Sequence, residues 1–194
     1  MGRLEPIEGI NIITLHTGEE IRLGHSWHEV DVLKEVIKRE RPETFVEIGV
    51  HEGGLSYLLL PFMAWKHYIG IEINHGYIRP EVILRYSLLG RDIYSGDCLA
   101  EETIEKISQF SGKMIYCDGG NKVAELHAYK EICQSGDLLF THDYYDGIRK
   151  VREVKQPQAE VTPADVADID NDISFHLYDQ TQLRTTRIQG WRKI

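Results

Sequence analysis

The chain has 194 residues, the length of one domain, and 42% of them are hydrophobic, enough for a real core. A formal net charge of −9 leaves no basic stripe for nucleic acid and disfavours anionic membrane surfaces. Three widely spaced cysteines, Cys98, Cys117 and Cys133, form neither a disulfide framework nor a metal-ligand pattern, which predicts buried thiols in a reducing cytoplasm.

The N-terminal stretch from Met1 to Pro6 lacks the apolar core of a secretion signal, and no run is long enough to span a bilayer. Residues 10–23 read as a small hairpin or extended arm turning at Thr17-Gly18. The division expected is an N-terminal arm over 1–25 and a single domain over 26–194. A helix follows the arm, with Ser26 and Glu29 at capping-box spacing. Val30, Leu33 and Ile37 recur on one face, and Arg41-Pro42 ends it.

From there strands and helices alternate. Strands are expected at Thr44–Ile48, His67–Ile73, Asp92–Ser95, Lys113–Cys117 and Asp137–Thr141. Helices are expected at Leu55–Trp65, Arg79–Leu89, Glu101–Phe110 and Lys122–Cys133. Such alternation implies a doubly wound α/β fold, a mostly parallel sheet with helices on both faces. The tail departs from it. Tyr144–Asp172 is a polar loop or lid insertion with a short helix at 163–169, where Thr162 reads as the cap and Pro163 as the first helical residue. Ile173–Tyr178 and Leu183–Trp191 then read as an antiparallel hairpin that closes the sheet.

Ligands of open parallel sheets bind beyond the C-terminal strand ends. Five such ends carry acidic or polar residues: Glu47–Gly54, Glu72–Asn74, Gly96–Asp97, Asp118–Lys122 and His142–Tyr145. At the first, glycines at a strand-to-helix turn let the backbone approach a ligand. Glu47 there would repel a pyrophosphate and attract an ammonium group. His51 stands where a dinucleotide-binding turn needs its second glycine, so a nicotinamide cofactor is disfavoured.

Glu47, Gly49 and Gly53, spaced as an acidic residue, glycine and glycine, resemble the cofactor turn of the class I S-adenosylmethionine (SAM) dependent methyltransferases. The resemblance implies a Rossmann-like sheet and SAM as cofactor. Gly49 and Gly53 would lie at its methionine moiety, Glu47 near the ammonium, Glu72 on the ribose hydroxyls and Asp97 by the adenine. Asp97 also reads as the N-cap of the next helix. Asp118-Gly119 after the fourth strand and His142-Asp143-Tyr144 after the fifth resemble the cation-dependent O-methyltransferases of small molecules, in particular those acting on macrolide and aminocoumarin sugars. Asp118 and Asp143 together with His142 would then hold a divalent cation, with magnesium, manganese and iron as candidates, although histidine stands where the family has aspartate and favours transition metals.

Asp118, His142 or Lys122 could take the proton of the acceptor hydroxyl. Lys122 sits one residue further from Asp118 than the catalytic lysine of the catechol-type enzymes, and it also reads as a solvated helix residue. The function implied is methyl transfer to an oxygen of a small molecule, and a homodimer is compatible with it. Two other readings remain: the same fold with metal-dependent, hydroxylase-like chemistry, and a non-catalytic binding domain. The remaining histidines, His25 and His28 included, show no ligand spacing. Trp27, Trp65 and Trp191 read as packing residues, and the acidic set Asp165, Asp168, Asp170 and Asp172 as a solvated face.

Overall fold

Strands whose every residue is buried need cover on both faces, and β3 (Thr44–Ile48), β6 (Lys113–Cys117) and β7 (Leu138–Thr141) are of this kind. In the computed structural model, which describes residues 11–15, 17–62, 67–149 and 160–194, they form the middle of a seven-stranded sheet. β4 (His67–Glu72) and β5 (Asp92–Ser95) extend it on one side, and β9 (Gln189–Lys193) and β8 (Phe175–Leu177) on the other. The order is β5-β4-β3-β6-β7-β9-β8, parallel from β5 to β7, with β9 antiparallel to both β7 and β8. The mostly parallel sheet and the antiparallel closing pair match the expectation. β1 (Asn11–Thr14) and β2 (Glu20–Leu23) form a separate antiparallel hairpin.

Alternate residues of each strand face opposite layers. Phe45, Tyr68, Tyr116 and Phe140 pack with the hairpin, α1 (Trp27–Glu40), α2 (Gly54–Leu59) and α3 (Pro80–Leu88). Val46, Ile69, Ile115 and Leu139 pack with α4 (Glu101–Ser108), α5 (Lys122–Lys130) and α6 (Ala167–Asp170). The capping box at α1 is present. Ser26 accepts from the Glu29 N–H, Glu29 accepts from the Ser26 N–H, and Arg41 ends the helix in the left-handed region at φ 48°.

Several expectations are corrected. Helix α2 ends at Leu59 and continues as a 3-10 turn, Leu60–Phe62; Trp65 lies outside the described residues. Helix α6 begins at Ala167, because Thr162 bonds Asp165 through both its N–H and its hydroxyl and so closes a turn there rather than capping a helix at Pro163. The expected strand Leu183–Trp191 begins only at Gln189. The stretch before it is a short helix, α7 (Gln180–Leu183), started by Asp179 accepting from the Thr181 N–H, followed by a turn in which Thr186 N–H and hydroxyl both return to the Leu183 carbonyl.

Trp27 is 43% exposed, whereas Trp191 is fully buried with its indole N–H on Asp170. Cys117 and Cys133 are buried, but Cys98 is only partly so. The acidic set is not simply solvated: Asp168 and Asp172 pair with Lys130. Of the 144–172 segment, residues 150–159 lie outside the described residues. Tyr144, Val161, Val166 and Ile169 are core residues, and Tyr144 bridges Val161. Among the described residues no helix is long and apolar enough to cross a membrane.

Candidate active site

The β3–α2 turn is shaped by two glycines at positive φ, Gly49 at 82° and Gly53 at 88°. At Gly49 a side chain is excluded outright, since a Cβ would lie 2.5 Å from the Asp118 carbonyl oxygen and 2.8 Å from Gly119 Cα. The ends of β3 and β6 therefore touch through backbone alone. Gly53 caps α2 and leaves its first N–H groups without a side-chain acceptor.

Glu72 ends β4 and is 6% exposed. Its two oxygens accept from the His51 N–H at 2.8 Å and the Asn74 N–H at 3.0 Å, which fixes the carboxylate and leaves lone pairs on both oxygens. His51 adopts φ 52°, a conformation uncommon outside glycine. Asp97, beyond β5, is exposed and accepts from the Leu99 N–H at 2.8 Å. It caps that turn, whereas Ala100 is the N-cap of α4. A Cβ at Gly96 or Gly120 would meet nothing within 4 Å, so the space above β5 and β6 is open.

Glu47 lies inside β3 and is 2% exposed, accepting from the Tyr68 hydroxyl at 2.5 Å. Burial pushes its carboxyl up to about 8, against the opposing bond from Tyr68, so at neutral pH it is mostly protonated. Because the folded value lies above the unfolded one, the stability this group contributes is complete below about pH 4.5 and is lost as pH rises through about 8. Glu47→Gln, the neutral isostere, is expected to match the parent at pH 5. It should exceed the parent at pH 9 by on the order of 4 kcal/mol. Urea midpoints at the two pH values check this, and a parallel pH dependence for both proteins would refute it.

At the neighbouring ends of β6 and β7 a denser group converges. His142 is 2% exposed. Its Nδ1 lies 3.1 Å from Asp118 Oδ1 and its Nε2 lies 3.5 Å from Glu29 Oε2. His25, 3% exposed, stacks on the His142 ring at 4.1 Å between centroids. Its Nε2 is 2.8 Å from the Tyr116 hydroxyl and 3.4 Å from Asp118 Oδ2. Asn11 holds the His25 carbonyl, and the Arg22 N–H bonds Glu52 in the glycine turn. The hairpin is thereby docked onto the strand ends.

Around this group runs a chain of ion pairs. Lys122 is buried, not solvated, and reaches Glu160 at 2.6 Å, Asp143 at 3.3 Å and Asp118 at 3.6 Å. Arg187 reaches Asp143 at 2.5 Å and Glu29 at 3.2 Å. Asp143 sits at φ 55°, a strained placement of the kind found at functional sites.

Charge states follow from these contacts. Burial works against a cationic His142, but Asp118 and Glu29 outweigh it and raise it to about 9. Burial likewise opposes the Lys122 cation, and Asp118 with Glu160 holds it above the ordinary lysine range. Burial favours the protonated Asp118, yet His142, His25 and Lys122 bring it down to about 2. His25 is pushed down to about 4 by burial and by His142, and so is neutral. At neutral pH the group holds two cations, His142 and Lys122, against an ionised Asp118.

The structure thus brings Asp118, Lys122, His142 and Asp143 within reach of one another. Glu47, Gly49 and Gly53 lie on the adjoining turn, and Glu72 and Asp97 at the next strand ends. Of the expected metal set, Asp143 is turned to Arg187 and Lys122, while His25 stands beside Asp118 and His142. His25, Glu29 and Arg187 were not among the expected site residues. Only the capping box marked Glu29, and that signal speaks of a helix start. A hollow of about 240 Å³ lined by Glu43, Lys113 and Arg192 lies at the opposite, N-terminal ends of the strands and shares none of these groups.

No protein-family model matches the chain, and no curated protein matches it significantly. Solved structures do. A putative caffeoyl-CoA O-methyltransferase from Staphylococcus aureus superposes with a TM-score of 0.62 at 17% identity, over 87% of this chain and 84% of that one. An O-methyltransferase from Bacillus cereus, in complex with S-adenosylhomocysteine (SAH), gives 0.61 at 14% identity, over 87% and 82%. A form of CmcI with SAH gives 0.60 at 12% identity, over 89% and 79%. The chain has the class I methyltransferase fold.

Proposed function

We propose that this protein is a SAM-dependent methyltransferase that acts on an oxygen of a small molecule. The observation that carries the reading is the Glu72 carboxylate, pinned by two backbone N–H groups at the end of β4 beside the positive-φ glycine turn. Its remaining lone pairs suit a ribose diol, and the open space at Gly96 and Gly120 leaves room beside it. Gly49 and Gly53 would line the methionine end and Asp97 the adenine. Glu47 would meet the ammonium by giving up the proton that burial makes it hold. Bound SAM supplies an electrophilic methyl group for in-line displacement.

The chain's own residues then have to align the acceptor oxygen and stabilise it as its proton leaves. His142 and Lys122, both protonated, fit the second task better than proton removal, because neither has a free lone pair in that state. Asp118 orients both cations. An acceptor oxygen near them would ionise more readily than in water, since nearby positive charge favours the anion. The net charge of −9 and the absence of a basic stripe favour a small molecule over nucleic acid, and three free thiols suit a reducing cytoplasm.

Calorimetry with SAH tests the reading. Saturable binding is expected, weakened by about 10- to 100-fold in Glu72→Gln, which loses a charged acceptor worth about 1.5–3 kcal/mol. No heat with SAH or SAM would sink it. One observation favours a second reading: two histidines and one carboxylate converge in the donor pattern of non-haem iron oxygenases. Bound iron with no SAH affinity would select it.

A further inference from the structure

We propose that Glu47 exchanges its own proton for the ammonium group of the cofactor, so that binding expels one proton to solvent, with Tyr68 holding the carboxyl in place throughout. This rests on the transferase reading and adds a proton to its binding step. Among the described residues the other buried carboxyl groups each meet a backbone N–H or a cation. Glu29 has the Ser26 N–H and Arg187, and Glu52 has the Arg22 N–H. Glu72 has the N–H groups of His51 and Asn74, Glu125 those of Gly119 and Asn121, and Asp137 has Lys113. Glu47 meets only hydroxyls, that of Tyr68 at 2.5 Å and that of Ser56. Buried charges are paired. A carboxyl without a cation therefore stays neutral in the free protein and ionises when a ligand brings one.

The surroundings suit that exchange. Glu47 stands opposite Gly70 of β4 in register, and a Cβ at Gly70 would lie 2.9 Å from the Tyr68 hydroxyl oxygen. The missing side chain is what lets Tyr68 lean along its own strand to Glu47 Oε2, which leaves lone pairs on Oε1 for a ligand. Glu72 lies two residues beyond Gly70, on the same face of the sheet and about 7 Å further along β4. A ligand held at Glu72 by its ribose can extend back to Glu47. The groups facing Glu47 are Tyr68 and Glu72 of β4, Ser56 of α2, Tyr86 of α3 and Asp118 beyond β6, with Tyr116 opposite it on β6. Two are carboxylates and none is a cation. Burial first, then Asp118 and Glu72, push the carboxyl up to about 8 against the bonds from Tyr68 and Ser56. Because the ammonium pairs with the ionised form, affinity rises with pH up to about 8 and levels off above it.

The test is calorimetric titration of the full-length protein with SAH at pH 7 in phosphate and in Tris, whose ionisation enthalpies differ, and then at pH 6 and pH 8. The parent is expected to release about one proton per SAH bound, and its affinity to rise about 10-fold from pH 6 to pH 7. Methylthioadenosine keeps the nucleoside and lacks the amino acid end, so it should bind without releasing the proton. That comparison uses the unaltered protein and does not depend on the folding of a variant. Glu47→Gln should bind SAH more weakly than the parent at pH 8, release no proton and keep one affinity from pH 6 to pH 8. Tyr68→Phe should still release the proton but reach its plateau at higher pH, because the phenol's bond favours the carboxylate. A phenol that only fills space would leave the plateau where it is. SAH binding without proton release overturns the proposal and leaves the transferase standing. Equal release with methylthioadenosine, or in Glu47→Gln, does the same. No binding of SAH removes the transferase reading and this one with it.

Discussion

Gly49→Ala is expected to lose SAH binding by at least 100-fold and to melt roughly 10 °C below the parent. Two costs combine at this position. An alanine at φ 82° pays about 1–2 kcal/mol for the left-handed backbone. Its Cβ must also occupy space 2.5 Å from the Asp118 carbonyl oxygen. Neither partner is a flexible side-chain tip, so the two strand ends have to move apart, and Asp118 moves with them. The sum is about 3 kcal/mol or more, in the range that only backbone strain, cavities and orphaned charges reach. Gly90→Ala separates the terms. Gly90 sits at φ 63° with nothing within 4 Å of a built Cβ, so it should cost only the backbone part, about 1–2 kcal/mol. Paired thermal melts and SAH titrations read both variants. Gly49→Ala that binds SAH like the parent would show that the contact between the ends of β3 and β6 does not shape the site.

Arg187→Met is expected to cost about 3–5 kcal/mol of folding stability in urea unfolding at pH 7. Arg187 bonds Glu29 and Asp143 at once, and Glu29 is fully buried. Burial alone would favour a neutral Glu29, and His142 with Arg187 holds it far below the ordinary carboxylate range. Truncating the arginine strands that charge. The double change Arg187→Met with Glu29→Gln should recover part of the loss, because the uncompensated charge is gone while the Gln side chain can still bond the Ser26 N–H. A single variant that loses less than about 1 kcal/mol would mean that water or His142 already compensates Glu29.

Most of the layered fold was legible because it rests on local pattern. The strands Asp92–Ser95 and Lys113–Cys117 are bounded as expected, since each is a short β-rich run ended by a polar turn. Ser26 and Glu29 announce α1 by a bond between neighbours in sequence. The failures lie where tertiary context overrides pattern. Residues 183–191 are rich in β-branched and apolar side chains, yet the Asp179 cap and the Thr186 turn win over their first half. At the candidate site, residues carried on strand ends were legible because the parallel sheet gathers such ends together. His25 was not. Its contact with Asp118 and its stacking on His142 join positions 93 and 117 residues apart in sequence, and nothing in Gly24-His25-Ser26 encodes that meeting. Lys122 read both as a candidate proton acceptor and as a solvated helix residue, and the ion pairs to Asp118, Asp143 and Glu160 explain its burial.

The position of β9 has a consequence for synthesis. Residues 189–193 follow both β7 and β8 in the chain, yet their strand lies between those two in the sheet, and Trp191 is fully buried there. While the ribosome is still making this part of the chain, the inner edge of β7 has no partner, and β8 has nothing to pair with. The unpaired edge is a template for wrong association, and β7 has to wait for a partner about 50 residues further along the chain. Stalled or truncated chains that stop before Gln189 should therefore be the species that aggregate and recruit chaperones, while chains that include Lys193 can close that edge.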